Sequence, residues 1–334
     1  MRTINNVNRV GSGGLLDPSC IRTRIAADGI TPLGPDYSHC PRLNSDLSNV
    51  AIRSNGGHSS YQALQLRLDS RRVQRLGLEF GGNYTWSHSI DNRSASAFNN
   101  PVADTGAGYL DAFRPSLDRG SSDFDVRHRL AAHFIWELPL GNHSSSWAAH
   151  HLARGWEVNG FLSYQTGQPF TLADLGTPDV TNERTRPRLT GPLPHRGALI
   201  ADALSPNTYL YLPLNQVYDP ITRLCIAHAA PFGCEISVNG PFDGTLARNT
   251  FRQPGLFYQD TALLKNLPLP WREMQMQFRA EFYNAFNHPN LYVNSGTTDI
   301  STNSFTNSTG AFVPGVTASF RDNREIVLAL KVLF

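Results

Sequence analysis

Residues Arg324 to Phe334 read REIVLALKVLF. Ile326, Leu328, Leu330, Val332 and Phe334 occupy one parity; Glu325, Val327, Ala329, Lys331 and Leu333 occupy the other. A period of two predicts a β-strand, because successive side chains of a strand point to opposite faces. One row is wholly apolar and the other carries two charges. A tilted β-strand crosses the hydrocarbon of a bilayer in roughly 9–11 residues. This stretch therefore has the length and the outer row of a membrane-spanning strand.

The same pattern recurs upstream. Tyr61 to Asp69 sets Leu64, Leu66 and Leu68 against Gln65, Arg67 and Asp69. Arg75 to Ser89 sets Leu76, Leu78, Phe80, Gly82, Tyr84 and Trp86 against Gly77, Glu79, Gly81, Asn83, Thr85 and Ser87. Val126 to Leu138 sets Leu130, Ala132, Phe134, Trp136 and Leu138 against Arg127, Arg129, His133 and Glu137. Trp156 to Gln165 places Trp156, Val158, Leu162 and Tyr164 opposite Glu157, Asn159, Ser163 and Gln165. Leu256 to Leu267 alternates more weakly, with Gln259 and Thr261 where outward apolar residues belong. Glu273 to Asn284 alternates strictly, with Met274, Met276, Phe278, Ala280 and Phe282 in one row. Leu47 to Arg53 is a further short candidate, and residues 1–46 read as irregular, broken by Pro18, Pro32, Pro35 and Pro41.

The connections alternate in length. Ser70 to Gln74 is short, Ile90 to Asp125 long, and Pro139 to Arg154 moderate. Gly167 to Gly255 is very long and proline-rich; its apolar piece TYLYLPL (Thr208 to Leu214) predicts local folding. Pro268 to Pro270 is a tight turn, and Phe286 to Asp322 reads as a polar loop. Short turns at one end and long loops at the other describe a transmembrane β-barrel wall with periplasmic turns and extracellular loops. The expected fold is all-β: an antiparallel transmembrane barrel segment of about seven or eight strands. The competing reading is a soluble sandwich or propeller, whose strands would be shorter.

On this reading Arg67, Glu79, Arg127, Arg129, Glu137, Glu157, Arg279 and Glu281, with Glu325 and Lys331, line the barrel interior. Tyr84, Trp86, Trp136, Trp156 and Tyr164 are the aromatics of the membrane interfaces. Outer-membrane lipid is then the partner of the apolar row.

Composition agrees. Charged residues make up 17% of the chain, low beside the usual quarter. No apolar run approaches the roughly 18 residues a transmembrane helix needs, which excludes helical spans and leaves a barrel open. A net charge of +2, with Lys and Arg scattered, predicts no nucleic-acid partner. Residues 1–30 show no signal-peptide succession. An exported protein needs one, so the chain reads as a fragment or as starting at a misplaced position.

No enzymatic motif is present: no GxSxG elbow, HExxH, GxxxxGK[ST] or strand-linked GxGxxG. No cofactor is expected. His128 and His133 differ in parity and cannot share a metal, and His150-His151 suit a polar turn. Asp118, Asp123 and Asp125 lack EF-hand spacing. Arg119, Arg127 and Arg129 close by point instead to a charge-paired loop base, and no metal site is expected. Cys20, Cys40, Cys225 and Cys234 form no CxxC pair. An oxidising compartment would allow the local disulfides Cys20–Cys40 and Cys225–Cys234, with free thiols as the alternative.

Six stretches in order carry a family resemblance: SSYQALQLRLDSR (Ser59 to Arg71), NYTWSHSIDN (Asn83 to Asn92), DRGSSDFDVRHRLAAHFIWELPLG (Asp118 to Gly141), GWEVNGFLSYQTGQPFT (Gly155 to Thr171), LLKNL (Leu263 to Leu267) and QFRAEFYNAFNHPN (Gln277 to Asn290). Together they resemble the C-terminal barrel of Oar-like TonB-dependent receptors, a group abundant in Acidobacteria-type Gram-negative bacteria. The resemblance covers residues 47–334 and implies an outer-membrane location. It implies a 22-stranded barrel with an N-terminal plug, of which this chain resembles the last third. Engagement of TonB would run only through the absent plug and its leading segment. Phe334, with Val332 and Leu330, resembles the signal read by the barrel-assembly machinery. The implied function is passage of a large substrate, of unknown identity, across the outer membrane. A binding or adhesion barrel whose loops contact a partner without transport is the alternative. With the first barrel strand absent, Arg324 to Phe334 is expected to pair only with Glu273 to Asn284. Its other edge would be unpaired, or would meet the strand near Tyr61 or Leu47.

Overall fold

The computed structural model describes residues 3–6, 22–25, 32–36, 51–54, 56–73, 76–94, 115–141, 152–172, 188–189, 199–213, 216–218, 225–228, 232–233, 246–269, 274–294, 298, 305–310, 312–313 and 315–333. Seven strands form the wall: β1 (Ser59–Val73), β2 (Leu78–Asp91), β3 (His128–Glu137), β4 (Trp156–Gln165), β5 (Leu256–Pro268), β6 (Gln275–Tyr283) and β7 (Glu325–Leu333). Each pairs antiparallel with its neighbour in sequence, giving the spatial order β7-β6-β5-β4-β3-β2-β1. The two-residue strand Gly120–Ser121 adds to the far end of β2. This is an up-and-down meander, the simplest antiparallel topology. The sheet is open. Among the described residues β7 pairs only with β6 and β1 only with β2, the one-sided pairing that the resemblance leads one to expect for the last strand.

The register fixes the faces. Leu66 lies opposite Tyr84, Tyr84 opposite Leu130, Leu130 opposite Tyr164, and Tyr164 opposite Phe257. Lower down, Lys265 meets Phe278 and Phe278 meets Leu330. Directly opposed residues share a face, so the apolar rows of all seven strands merge into one surface. Leu64, Leu66, Leu68, Leu328 and Leu330 are each about half or more exposed on it. The other face collects Gln65, Arg67, Asn83, Thr85, Arg129, Glu157, Asp260 and Glu281. A water-soluble sheet would bury its greasy face against a second layer; this wall leaves it bare.

Two glycines make the short-turn end possible. Gly77 (φ +65°) and Gly155 (φ +77°) occupy the left-handed region. A Cβ there would stand 2.4 Å from the Glu137 carbonyl oxygen and 2.5 Å from that of Asn266, respectively. Their own carbonyls accept the Glu137 and Asn266 amides at 2.9 Å. Close backbone approach and positive φ together require glycine.

The hydrophobic core lies in the long loops, not in the wall. Phe170, Leu172, Tyr211, Leu212, Leu246, Phe251, Leu291, Val293, Val316 and Ala318 form one buried cluster. Its frame is a four-stranded sheet in the order Ile200–Ala201, Thr208–Pro213, Gly315–Arg321, Asn290–Val293. A two-residue ladder of Pro169–Phe170 with Phe251–Arg252 adds to it. Thr208 to Pro213 folds locally by pairing with Ile200–Ala201, and its other edge pairs with Gly315–Arg321, from the β6–β7 connection. That connection is no plain polar loop, because its apolar residues at 291, 293, 316 and 318 complete a core with residues of the β4–β5 connection. The stretch expected to be irregular also holds strands: Arg22–Ile25 pairs with Pro32–Asp36, and Thr3–Asn6 with Ala51–Ser54. Pro32 and Pro35 sit in a two-stranded ladder, where a strand edge tolerates a missing amide donor.

Candidate functional site: wall, lumen and loop cap

The short-turn end carries an aromatic and basic rim on the apolar face. The Trp136 indole donates to the Leu76 carbonyl at 3.0 Å, and the Trp156 indole to the Leu152 carbonyl at 2.9 Å. Lys265 lies in the apolar row, where no charge was expected. Its ammonium donates to the carbonyls of Leu152, at 3.0 Å, and Arg154, and stands 5.3 Å from the Trp156 ring centre. A lysine at this depth turns its head to the interface and keeps its stem in the apolar layer. At the opposite end Tyr84 and His128 share this face, with Tyr84 Oη 2.8 Å from His128 Nδ1. Trp86 and Tyr164 stand nearby in the same rows. From Trp156 to Tyr164 the strand advances eight residues, about 27 Å, which suits an apolar band about 25 Å tall crossed at a tilt. Gln259 and Thr261 do lie in the apolar row, hydrogen-bonded to each other, which lowers the cost of facing an apolar medium.

The polar face reads differently. Arg67, Glu79, Arg129, Glu137, Glu157, Arg279 and Glu281 share it with Glu325 and Lys331. Arg67 pairs with Asp69 at 2.5 Å and Arg279 with Glu281 at 2.6 Å. His133 lies across Gly81, where a Cβ would sit 2.7 Å from its Cε1 and 3.2 Å from an Asp69 oxygen. His133 thus turns away from His128, as their parity requires.

At the long-loop end the polar face runs into a buried ionic cluster. Arg248 donates from Nε to the Asp118 carbonyl at 2.9 Å and from Nη1 to Asp123 at 3.2 Å, and it pairs with Asp91. Side-chain exposure is 4% for Arg248 and 0% for Asp91. Asp125 pairs with Arg127 at 3.1 Å and with Arg252. It also accepts the Ser89 amide at 2.7 Å. Asn249 donates to Asp123 and to the Ser121 carbonyl, both at 2.7 Å. These contacts tie the β2–β3 connection and the end of the β4–β5 connection to the top of β2. The loop-base reading of Asp118, Asp123 and Asp125 thus gains Arg127 as one of its expected partners. Arg248 and Arg252, missed in the sequence, are further partners. Their only sequence signal is two arginines in RNTFR just before a strand; the topology, not the spacing, brings them to the aspartates.

A second anchor holds the β6–β7 connection. Tyr258 Oη contacts Tyr292 Oη at 2.7 Å and donates to Asp322 at 3.0 Å. Asn284, at φ +48°, donates its side-chain amide to the carbonyls of His288, at 2.9 Å, and Asp322, at 2.6 Å. Phe334 lies outside the described residues, as do Cys20, Cys40 and Cys234; Leu330 and Val332 face outward on β7. Among the described residues no group of His, Cys, Asp or Glu is placed to hold a metal ion.

An open antiparallel wall with one bare apolar face, rimmed by aromatics, and long loops gathered into a cap defines an outer-membrane β-barrel protein. The match to known families says the same: residues 3–326 fit the model of the outer membrane beta barrel domain, and the chain belongs to that family. Its place is the outer membrane of a Gram-negative bacterium. No solved structure matches the chain.

Proposed function

We propose that the chain is the C-terminal part of the barrel of a TonB-dependent receptor of the Oar-like type, which passes a large substrate across the outer membrane. The observation that carries this reading is the placement of the six resembling stretches. They fall on β1, on the upper half of β2, on β3 with its loop base, on β4, on β5 and on β6. They include both ends of the ionic cluster, Asp91 and Asp123. The partners this reading assigns are lipid at the apolar row, the barrel-assembly machinery at the C-terminal strand, and TonB through a plug. No catalytic step is assigned to it.

The second reading is a binding or adhesion barrel, in which the cap meets a partner without transport. The cap's own core of Phe170, Leu172, Leu246, Leu291 and Val316 favours it, because such a unit presents a fixed surface. Mass spectrometry of the native outer-membrane species separates the two. The receptor reading expects peptides of a plug and a TonB-engaging segment covalently continuous with this sequence, and substrate accumulation abolished by a protonophore. A species without those segments, with ligand binding indifferent to the protonophore, would overturn it in favour of the second reading.

A further inference from the structure

We propose that the hollow around Phe161 on the polar face of the wall is a binding site for a neutral saccharide. This rests on the barrel wall alone and not on the receptor reading. The hollow has a volume of about 340 Å³ and lies across β3, β4, β5 and β6, within the size of small-molecule sites. Its floor is apolar, on a face that mixes charged and polar side chains with a few apolar ones such as Leu264 and Val327. Phe161 and Ile135 project there, 46% and 40% exposed. The register sets Phe161 directly between His133 and Asp260. Two strands further, the 44% exposed Tyr283 supplies a second ring at the rim.

The rim is polar and already held. Asp260 accepts the Asn284 amide at 2.9 Å through one oxygen. Glu281 is fixed between Arg279 at 2.6 Å and the Tyr283 hydroxyl at 3.1 Å. Asn159 and His133 complete the ring of donors and acceptors. The Nε–H of Arg279 is buried and has no hydrogen-bond partner among the described residues.

Ligand classes can be sorted by this chemistry. An anion would face Asp260 and Glu281 with only Arg279, itself paired, to receive it. A metal cation would have to compete with partners that already hold both carboxylates. A purely apolar ligand would cover the floor and strip water from the polar rim without replacing its hydrogen bonds. A sugar ring has an apolar C–H face for the Phe161 floor and peripheral hydroxyls that donate to carboxylates and accept from Arg279, Asn159 and His133. It satisfies floor and rim together.

The test uses the full chain folded in detergent, with maltotriose and cellotriose as neutral probes and trigalacturonate as the charged control. Saturation-transfer NMR is expected to show transfer to ring C–H protons of a neutral trisaccharide, at millimolar affinity or better. Phe161→Ala and Asp260→Ala should each weaken it by about tenfold or more, worth about 1.4 kcal/mol, while Phe161→Tyr preserves it. Heat-modifiable gel mobility identifies variants that have folded. The proposal is overturned if neither neutral trisaccharide shows transfer, if folded Phe161→Ala binds as well as the parent, or if only trigalacturonate binds.

Discussion

Two arginine–aspartate pairs show how burial sets the worth of a residue. Arg67 and Asp69 touch at 2.5 Å, yet their side chains are 73% and 57% exposed. Such pairs contribute roughly 0–1 kcal/mol. Arg248 with Asp91 and Asp123 is almost wholly enclosed, and removing one partner of a buried pair costs roughly 3–5 kcal/mol because the other charge is stranded. Arg248→Ala should therefore loosen the cap, seen as rapid proteinase K cleavage of the long loops on intact cells while the wall still resists heat unfolding in SDS. Arg67→Ala should leave both readouts unchanged. At the turns, Gly155→Val combines a positive φ with a collision at the Asn266 carbonyl. It should lower the midpoint of unfolding in urea by an amount equivalent to about 1–3 kcal/mol, with Ala153→Val as the neutral comparison.

At the scale of elements, the two faces of one strand make opposite predictions. Leu328 and Ala329 are neighbours on β7 but belong to the apolar and polar faces. An arginine on the lipid face of a barrel costs about 2–4 kcal/mol near the midplane. Leu328→Arg should lower the urea midpoint of the refolded protein in liposomes by that equivalent, and Ala329→Arg by far less. A soluble β-sheet protein would tolerate Leu328→Arg on a 66% exposed position. The wall strands were legible in the sequence because alternation is local: each parity row can be read without knowing the partner strand. Lys265 shows the limit. Its charge breaks the row, and only the fold reveals Trp156 and the carbonyls of Leu152 and Arg154 waiting at the interface. The cap was not legible. Its core joins Phe170, Leu246 and Val316 from connections far apart in sequence, and short strands such as Ile200–Ala201 carry no period to read. The loop-base aspartates stood out, whereas Arg248 needed the topology to find them.

The whole molecule divides its labour by height. Aromatic and basic side chains settle the short-turn rim, a bare apolar band meets the hydrocarbon, and the long loops gather at the other end as a cap with its own core. Stability accordingly has two sources, lipid burial for the wall and ordinary core packing for the cap. The two should uncouple: extraction into a harsh detergent should collapse the wall's sheet while proteolysis still yields a core fragment of the cap. The claim on which everything else depends is that one parity row faces lipid along the whole wall. Site-directed spin labels placed singly from Tyr283 back to Met276 and from Ile326 to Val332, in liposomes, test it most directly. Oxygen accessibility should be high at 276, 278, 280, 282, 326, 328, 330 and 332 and polar-reagent accessibility high at the intervening positions, in a strict period of two. Uniform access of the polar reagent to both rows would contradict it.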